Sequence, residues 1–189
     1  IMGGRFILGF RGEIGALEAY GDTEVAPFFE HFYSGGISSV RGFKQNTLGP
    51  RAIPSPYFID NEGNQILDEE GNPIANPYAY YNDDRSIGGA YLVEGGFDFI
   101  FKLPFVEDQR SMRSSFFIDV GNVFSKDCGD IEVNINCSEL DLSELRYSYG
   151  VGVTWITQLG PMSLALSSPK NQGPLDETEN FQFEIGTQF

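Results

Sequence analysis

The chain has few of the residues that mark several common classes of function. Among its 189 residues are one histidine, one tryptophan, three methionines and two cysteines, and 12 basic residues stand against 27 acidic ones. Binding to nucleic acid phosphates or to anionic lipid head groups needs clustered Lys and Arg, and the sequence has no such cluster. It also has no apolar run near the roughly 20 residues of a transmembrane helix. Any membrane-spanning part must therefore consist of β-strands.

The two cysteines, Cys128 and Cys137, lie in a polar stretch with a spacing that fits one small loop disulfide. Such a bond persists in an oxidising place such as a bacterial periplasm or cell exterior. Two free thiols on a cytosolic loop are the alternative. A metal site is disfavoured, because a cysteine pair without neighbouring histidine makes a poor one. The sequence opens at Ile1 without the features of a leader peptide, so we expect it to be part of a longer protein.

Alternation of apolar and polar residues with period two predicts six β-strands. They cover Arg5–Ala19, Gly89–Leu103, Met112–Phe124, Leu145–Thr157, a stretch around Met162–Ser167, and Phe181–Phe189. These lengths are close to the roughly 9 to 11 residues with which a tilted strand crosses a bilayer. The polar face of these strands carries mainly Gly, Ser and isolated charges, which suits a barrel interior better than the solvated face of a sandwich. Phe117 departs from the pattern because it lies on this polar face.

The connections between the predicted strands alternate in length. Residues 20–87, 126–143 and 168–179 form long loops, and residues 105–110 and 158–161 form short ones. Long loops at one rim and short turns at the other are typical of outer-membrane barrels. We therefore predict an all-β chain that forms part of an antiparallel transmembrane β-barrel, with a β-sandwich as the alternative. About eight strands are needed to close a filled barrel, so the two outer strands should be edges that can pair with another chain, including a second copy.

The loop at residues 20–87 contains the single histidine, His31. A histidine without a Ser or Cys partner is a poor catalytic residue, so we predict a packed or surface side chain and no enzyme activity. The acidic second half of the loop lacks the regular ligand spacing of a calcium loop. We expect a solvated surface loop there, and neither a metal ion nor a cofactor.

Three charged residues stand out on the polar faces and in the long loop. Asp98 and Asp119 lie in the middle of neighbouring predicted strands, on the inward face, where a carboxylate is usually paired. Arg41 is the natural partner, because its guanidinium can contact carboxylates bidentately and the adjacent Gly42 allows the loop to approach the wall closely. The alternative is that both aspartates face water inside the barrel.

The residues Val40, Arg41, Gly42 and Phe43 form the sequence VRGF, preceded by PFFEHFYSGG and followed by LGPR. This region resembles the loop-six signature of the BamA family of outer-membrane assembly factors, within the bacterial surface antigens. IGGAYLVEGGFDF, FFIDVGNVF, GVGVTW and FQFEIGTQF extend the similarity from about Phe6 to Phe189. The resemblance implies the last six strands of that family's barrel, in the outer membrane of a Gram-negative bacterium.

The resemblance also implies a function and a set of functional residues. It implies a non-enzymatic component of the BAM complex that folds and inserts outer-membrane proteins, with Arg41 of an inward-folded loop six contacting Asp98 and Asp119. Residues 179–189 resemble a β-signal beside a lateral seam, to which the resemblance assigns Phe181, Phe183, Ile185, Gly186 and Phe189. Implied partners are nascent outer-membrane proteins, the lipoprotein subunits of the complex and outer-membrane lipid, but not nucleic acid. A transport channel of the two-partner-secretion or porin kind is the alternative.

Overall fold

The computed structural model describes residues 6–21, 26–51, 57–58, 64–74, 86–103, 111–126, 139–158, 160–173 and 176–186. These residues contain six β-strands and two short 3-10 helices. The strands are β1 (Phe6–Ala16), β2 (Tyr91–Phe101), β3 (Met112–Phe124), β4 (Arg146–Thr157), β5 (Gly160–Lys170) and β6 (Phe181–Ile185). The 3-10 helices are Phe28–Glu30 and Leu142–Glu144.

The six strands form one antiparallel sheet in chain order, β1 to β6. The prediction of an all-β, antiparallel fold is thereby confirmed, and β3 has the predicted bounds. The fifth strand is longer than expected. It continues to Lys170 because Pro169 and Lys170 still pair with Ser148 and Tyr147 of β4, so the loop expected from residue 168 starts later.

One face of the sheet carries large apolar side chains that remain exposed. They include Phe10, Ile14, Phe116, Ile118, Val151, Trp155, Leu164 and Leu166. Aromatic rings also meet across strands on this face, as in Phe101 and Phe116, whose centroids are 4.9 Å apart. A continuous apolar surface of this kind is unfavourable in water, whereas it matches the hydrocarbon of a bilayer.

The opposite face of the sheet is covered by residues 26–51, which we call the loop-six segment. Its core consists of Val40, Phe43 and Leu48, whose side chains are at most 1% exposed. A β-bridge between Ser34 and Leu48 closes the segment on itself. The buried core therefore lies between the inner face of the sheet and the loop, and not between two sheets as in a sandwich.

Candidate functional site

The register of β2 and β3 brings two carboxylates together on the inner face. Asp98 lies opposite Phe117 and Asp119 lies opposite Gly96, so the two aspartates are diagonal neighbours. The Asp119 side chain is fully buried, and that of Asp98 is 23% exposed. Because neighbouring carboxylates repel each other and burial removes their hydration, the two aspartates require a cationic partner.

Arg41 of the loop-six segment supplies this partner. Its Nε donates to Oδ2 of Asp119 at 2.6 Å and its Nη2 donates to Oδ1 at 2.9 Å, which is a bidentate contact. Nη1 and Nη2 both donate to Oδ1 of Asp98 at 3.1 Å. The backbone N–H of Arg41 donates to Asp119 as well, at 3.2 Å. The structure thus brings together the three charged residues that the sequence singled out.

The position of Phe117 explains its departure from the alternating pattern. Its side chain points inward and is 2% exposed, and the Arg41 guanidinium carbon lies 3.7 Å from the centroid of its ring. A guanidinium group is attracted electrostatically to the face of an aromatic ring, and the ring excludes water from that side of the group. Phe117 therefore forms the floor of the Arg41 site.

A second arginine, which the sequence reasoning did not select, completes the cluster. Arg11 of β1 donates from Nη2 to Oδ1 of Asp119 at 2.7 Å, and it also contacts the carbonyl oxygens of Ser38 and Ser39. Two guanidinium groups then balance two carboxylates. The sequence signal that could have pointed to a second arginine is charge balance. A single arginine leaves two inward aspartates with one negative charge in excess.

Gly42 allows the loop to lie against the wall. Its φ of +95° is in the left-handed region, and a Cβ built there would lie 2.9 Å from Oγ of Ser167 and 3.4 Å from Cβ of Ser148. A side chain at this position would meet both an unfavourable backbone conformation and a lack of space. The close approach expected of this glycine is present in the structure.

The loop-six segment also contacts β6 and the residues just before it. Gln182 of β6, which is 4% exposed, accepts from the N–H of Gly42 at 3.0 Å and donates to the carbonyl of Phe43 at 2.7 Å. Glu179 N–H donates to Gly42 O at 2.8 Å, and Lys44 N–H donates to Glu177 O at 2.9 Å. Sequence reasoning missed Gln182, since a neutral amide on a polar face gives no charge signal.

The predicted seam residues do not converge with the Arg41 cluster. Phe181, Phe183 and Ile185 point to the apolar outer face and are 50–58% exposed. The described part of the strand predicted through Phe189 ends at Ile185, and the backbone bends at Gly186, whose φ is +99°. Gly186 still donates from its N–H to Pro161 O at 2.8 Å.

Some predictions concern other parts of the chain. Cys128, Cys137 and Phe189 lie outside the described residues, and with them the expected disulfide. The ring nitrogens of His31 lie 2.8 Å and 3.2 Å from the carbonyl oxygens of Ile87 and Ala26, so the ring is held by backbone groups. No group of three or more metal-ligating side chains occurs within the described residues.

Within the same residues, no helix has the length and apolar character needed to cross a membrane. An antiparallel sheet with an apolar outer face and a loop held against its inner face by buried ion pairs defines a class: an outer-membrane β-barrel protein with an internal loop. The chain belongs to the Omp85 superfamily, because a match described as the Omp85 superfamily domain covers residues 2–189. Its location is the outer membrane of a Gram-negative bacterium.

Two relatives specify the likeness further. The chain is 34% identical to the outer membrane protein assembly factor BamA of Neisseria meningitidis serogroup B, over 97% of this chain and 22% of that protein. It also resembles the crystal structure of BamA from Haemophilus ducreyi lacking POTRA domains 1–3, with a TM-score of 0.68 and 26% identity, over 95% of this chain and 31% of that one. The chain therefore spans less than a third of the length of either relative.

Proposed function

We propose that this chain is the C-terminal part of an outer-membrane insertase, which folds and inserts outer-membrane proteins through a lateral seam next to its last strand. The likeness to an outer membrane protein assembly factor supports this function. The region 1–189 would be one portion of the barrel domain, with residues 20–87 as an extracellular loop, residues 126–143 as a second loop and residues 179–189 as the β-signal strand. The protein would assemble substrates without catalysing a chemical reaction.

The observation that carries the proposal is the buried contact of Arg41 with Asp119 and Asp98. It holds the VRGF motif on the inner wall, so a structured loop lies against this part of the barrel interior. The short β6, with five paired residues, fits the strand that an incoming chain would extend by β-augmentation.

The proposed partners follow from the surfaces of the sheet. Nascent outer-membrane proteins would pair at the free edge of β6, and outer-membrane lipid would cover the apolar face. The lipoprotein subunits of the assembly complex would contact parts of the protein outside this chain. The proposal also includes self-association through the free edges of β1 and β6.

The test replaces Arg41 by Ala in the full-length protein. We expect less assembly of other barrel proteins and faster cleavage of the loop-six segment by proteinase K, because Asp98 loses its cation and Asp119 keeps only Arg11. Arg113→Ala is the matched control, since Arg113 is an exposed arginine on β3, the strand that carries Asp119. This control should leave both readouts unchanged.

Two results would contradict the proposal. Normal assembly and normal protease resistance of the Arg41→Ala protein would remove the role of the buried contact. A steady, ion-selective conductance in planar bilayers, together with no assembly activity of the unaltered protein, would favour a transport channel instead.

A further inference from the structure

The described part of the last strand has five residue pairs. β6 pairs with β5 from Leu166–Phe181 to Met162–Ile185, whereas β3 and β4 are paired on both sides along most of their length. Backbone hydrogen bonds at a strand that is short and exposed open easily. Contacts from outside the sheet therefore add to what holds β6 in place.

Four hydrogen bonds from the loop-six segment supply such contacts. Two are backbone bonds to the residues that precede β6, from Glu179 N–H to Gly42 O and from Lys44 N–H to Glu177 O. The other two use both ends of the Gln182 amide, which accepts from Gly42 and donates to Phe43. A glutamine amide has an acceptor oxygen and a donor NH2 group, so it can pair with a backbone N–H and a backbone C=O in the way a neighbouring strand would.

The residue before Glu177 is held by β4. Asp176 is 1% exposed at its side chain and accepts from Nε of Arg146 in β4 and from the N–H of Gly173. Arg146 is also buried and contacts Glu144. The residues that lead into β6 are thus held both by the Arg146–Asp176 ion pair and by the loop-six segment.

The VRGF motif consequently joins two distant strands. At Arg41 it is held to Asp119 of β3 by charge-assisted bonds, and one residue later it is held to Gln182 of β6 by neutral bonds. β4 and β5 lie between these strands in the sheet. A displacement of the motif from β3 must therefore also break its bonds to β6, because both sets of bonds belong to adjacent residues of the same loop.

We propose that Gln182 is a positioning residue that makes the pairing of the last strand depend on the seating of the VRGF motif. With the motif seated, Gln182 holds the first half of β6 against the wall; with the motif displaced, β6 retains only its bonds to β5 and opens. The coupling is reciprocal, so a strand that draws β6 away from the wall loosens the loop-six segment by the same free energy. The use of this coupling in substrate insertion rests on the function proposed above, whereas the coupling itself does not.

The experiment measures hydrogen–deuterium exchange of the full-length protein in outer-membrane lipid vesicles. Gln182→Ala should speed exchange about tenfold both in residues 42–44 and in residues 181–185, the effect expected for the loss of two hydrogen bonds. Exchange in β3 and β4 should not change. Glu184→Ala is the matched control, because Glu184 lies two residues along the same strand on the same face, opposite Ser163, and it should leave residues 42–44 unaffected.

A double-mutant cycle separates coupling from a general loss of stability. Arg41→Ala alone should speed exchange in β6, although Arg41 does not touch that strand, and this effect should disappear when Gln182 is already Ala. Gln182→Glu keeps the shape and the acceptor for Gly42 but turns an oxygen toward Phe43 O, and it should speed exchange in residues 42–44 as Gln182→Ala does. Gln182→Glu therefore still tests the proposal if the Gln182→Ala protein does not fold.

The outcomes distinguish this inference from the proposed function. Additive effects of Arg41→Ala and Gln182→Ala on β6, or faster exchange throughout the sheet, would overturn the coupling even where the unaltered protein assembles its substrates. A non-additive cycle would support the coupling even where the unaltered protein assembles none, and the failure would then lie with the proposed function.

Discussion

The two strands that hold the VRGF motif, β3 and β6, differ in length, burial and the chemistry of their contacts. β3 runs from Met112 to Phe124, pairs on both sides, and buries Phe117 and Asp119 on its inner face. β6 has five residues, pairs with β5, and buries Gln182 alone among its own residues. The motif therefore has charge-assisted bonds at the longer, doubly paired strand and neutral bonds at the shorter one.

This difference assigns separate roles to the two contacts. A buried carboxylate between two guanidinium groups is costly to separate, because each group left alone would carry an uncompensated charge. A neutral amide contact costs far less to break. Opening should thus begin at β6 while the contact with β3 persists. The predictions below test this order, beginning with the contact that should matter most.

Asp119→Ala should have the largest effect. It leaves Arg11 without its carboxylate and Arg41 with Asp98 alone, and removing one member of a buried ion pair costs about 3 to 5 kcal/mol. We expect a lower unfolding temperature of the full-length barrel on heat-modifiable gels, and proteolysis of the loop-six segment. Asp98→Ala is the comparison, since Asp98 is 23% exposed and has one oxygen engaged, and it should cost less. Equal losses in the two variants would contradict the greater importance of β3.

Gly42→Ala should have the next largest effect. A non-glycine residue at φ +95° costs about 1 to 3 kcal/mol, and the added Cβ would press on Ser167 and Ser148. The contact with β6 should suffer first, because Gly42 itself bonds to Gln182 and Glu179. Limited proteolysis with chymotrypsin should detect a loosened loop, while the unfolding temperature changes less than in Asp119→Ala. Gly71→Ala is a useful control, since Gly71 also has positive φ but has open space around it. A protease-resistant loop in Gly42→Ala would show that space at this position is not limiting.

Much of the wall could be predicted from the sequence because its two faces meet different surroundings. Alternation with period two follows directly from an apolar outer face and a polar inner one, so β3 was placed correctly and the other strands nearly so. The meeting of Arg41 with Asp98 and Asp119 was one of the two alternatives that the sequence left open, the other being aspartates that face water. The described part of β6 ends at Ile185, where the backbone bends at Gly186, and the predicted continuation to Phe189 lies outside the described residues.

The contacts at β6 were beyond such reasoning for a physical reason. Gln182 is neutral, and the bonds of residues 42–44 with Glu177 and Glu179 are made by backbone atoms that every sequence possesses. Arg11 of β1 was not selected from the sequence, and only the structure places its guanidinium beside Asp119. The charged contacts at β3 can thus be foreseen from the sequence more easily than the neutral contacts at β6.

The ion pair between Lys44 and Glu177 should have the smallest effect, and it acts on the β6 side. Lys44 Nζ lies 2.7 Å from Glu177 Oε2, and this hydrogen bond lowers the pKa of Glu177 below its ordinary value of 4.5 and raises the pKa of Lys44 above 10.5. A carboxyl group with a lowered pKa stabilises the folded state above its unfolded pKa, and this contribution is lost as the pH falls through the folded value. Lys44 contributes below its own ordinary pKa, so the pair is fully formed at neutral pH. Both side chains are about half exposed, so salt should weaken the pair.

We therefore expect exchange of residues 42–44 and 177–179 to rise modestly as the pH is lowered below about 4.5, after correction for the intrinsic rate, and to rise at high salt. Lys44→Ala should reduce both dependences without abolishing them, because Arg51 also contacts Glu177, at 3.3 Å. The Asp119 contact is buried, so the unfolding temperature should respond less to salt than this local opening does. A salt response of the same size in both measurements would mean that the two ends of the motif open together, and the contrast between β3 and β6 would then be lost.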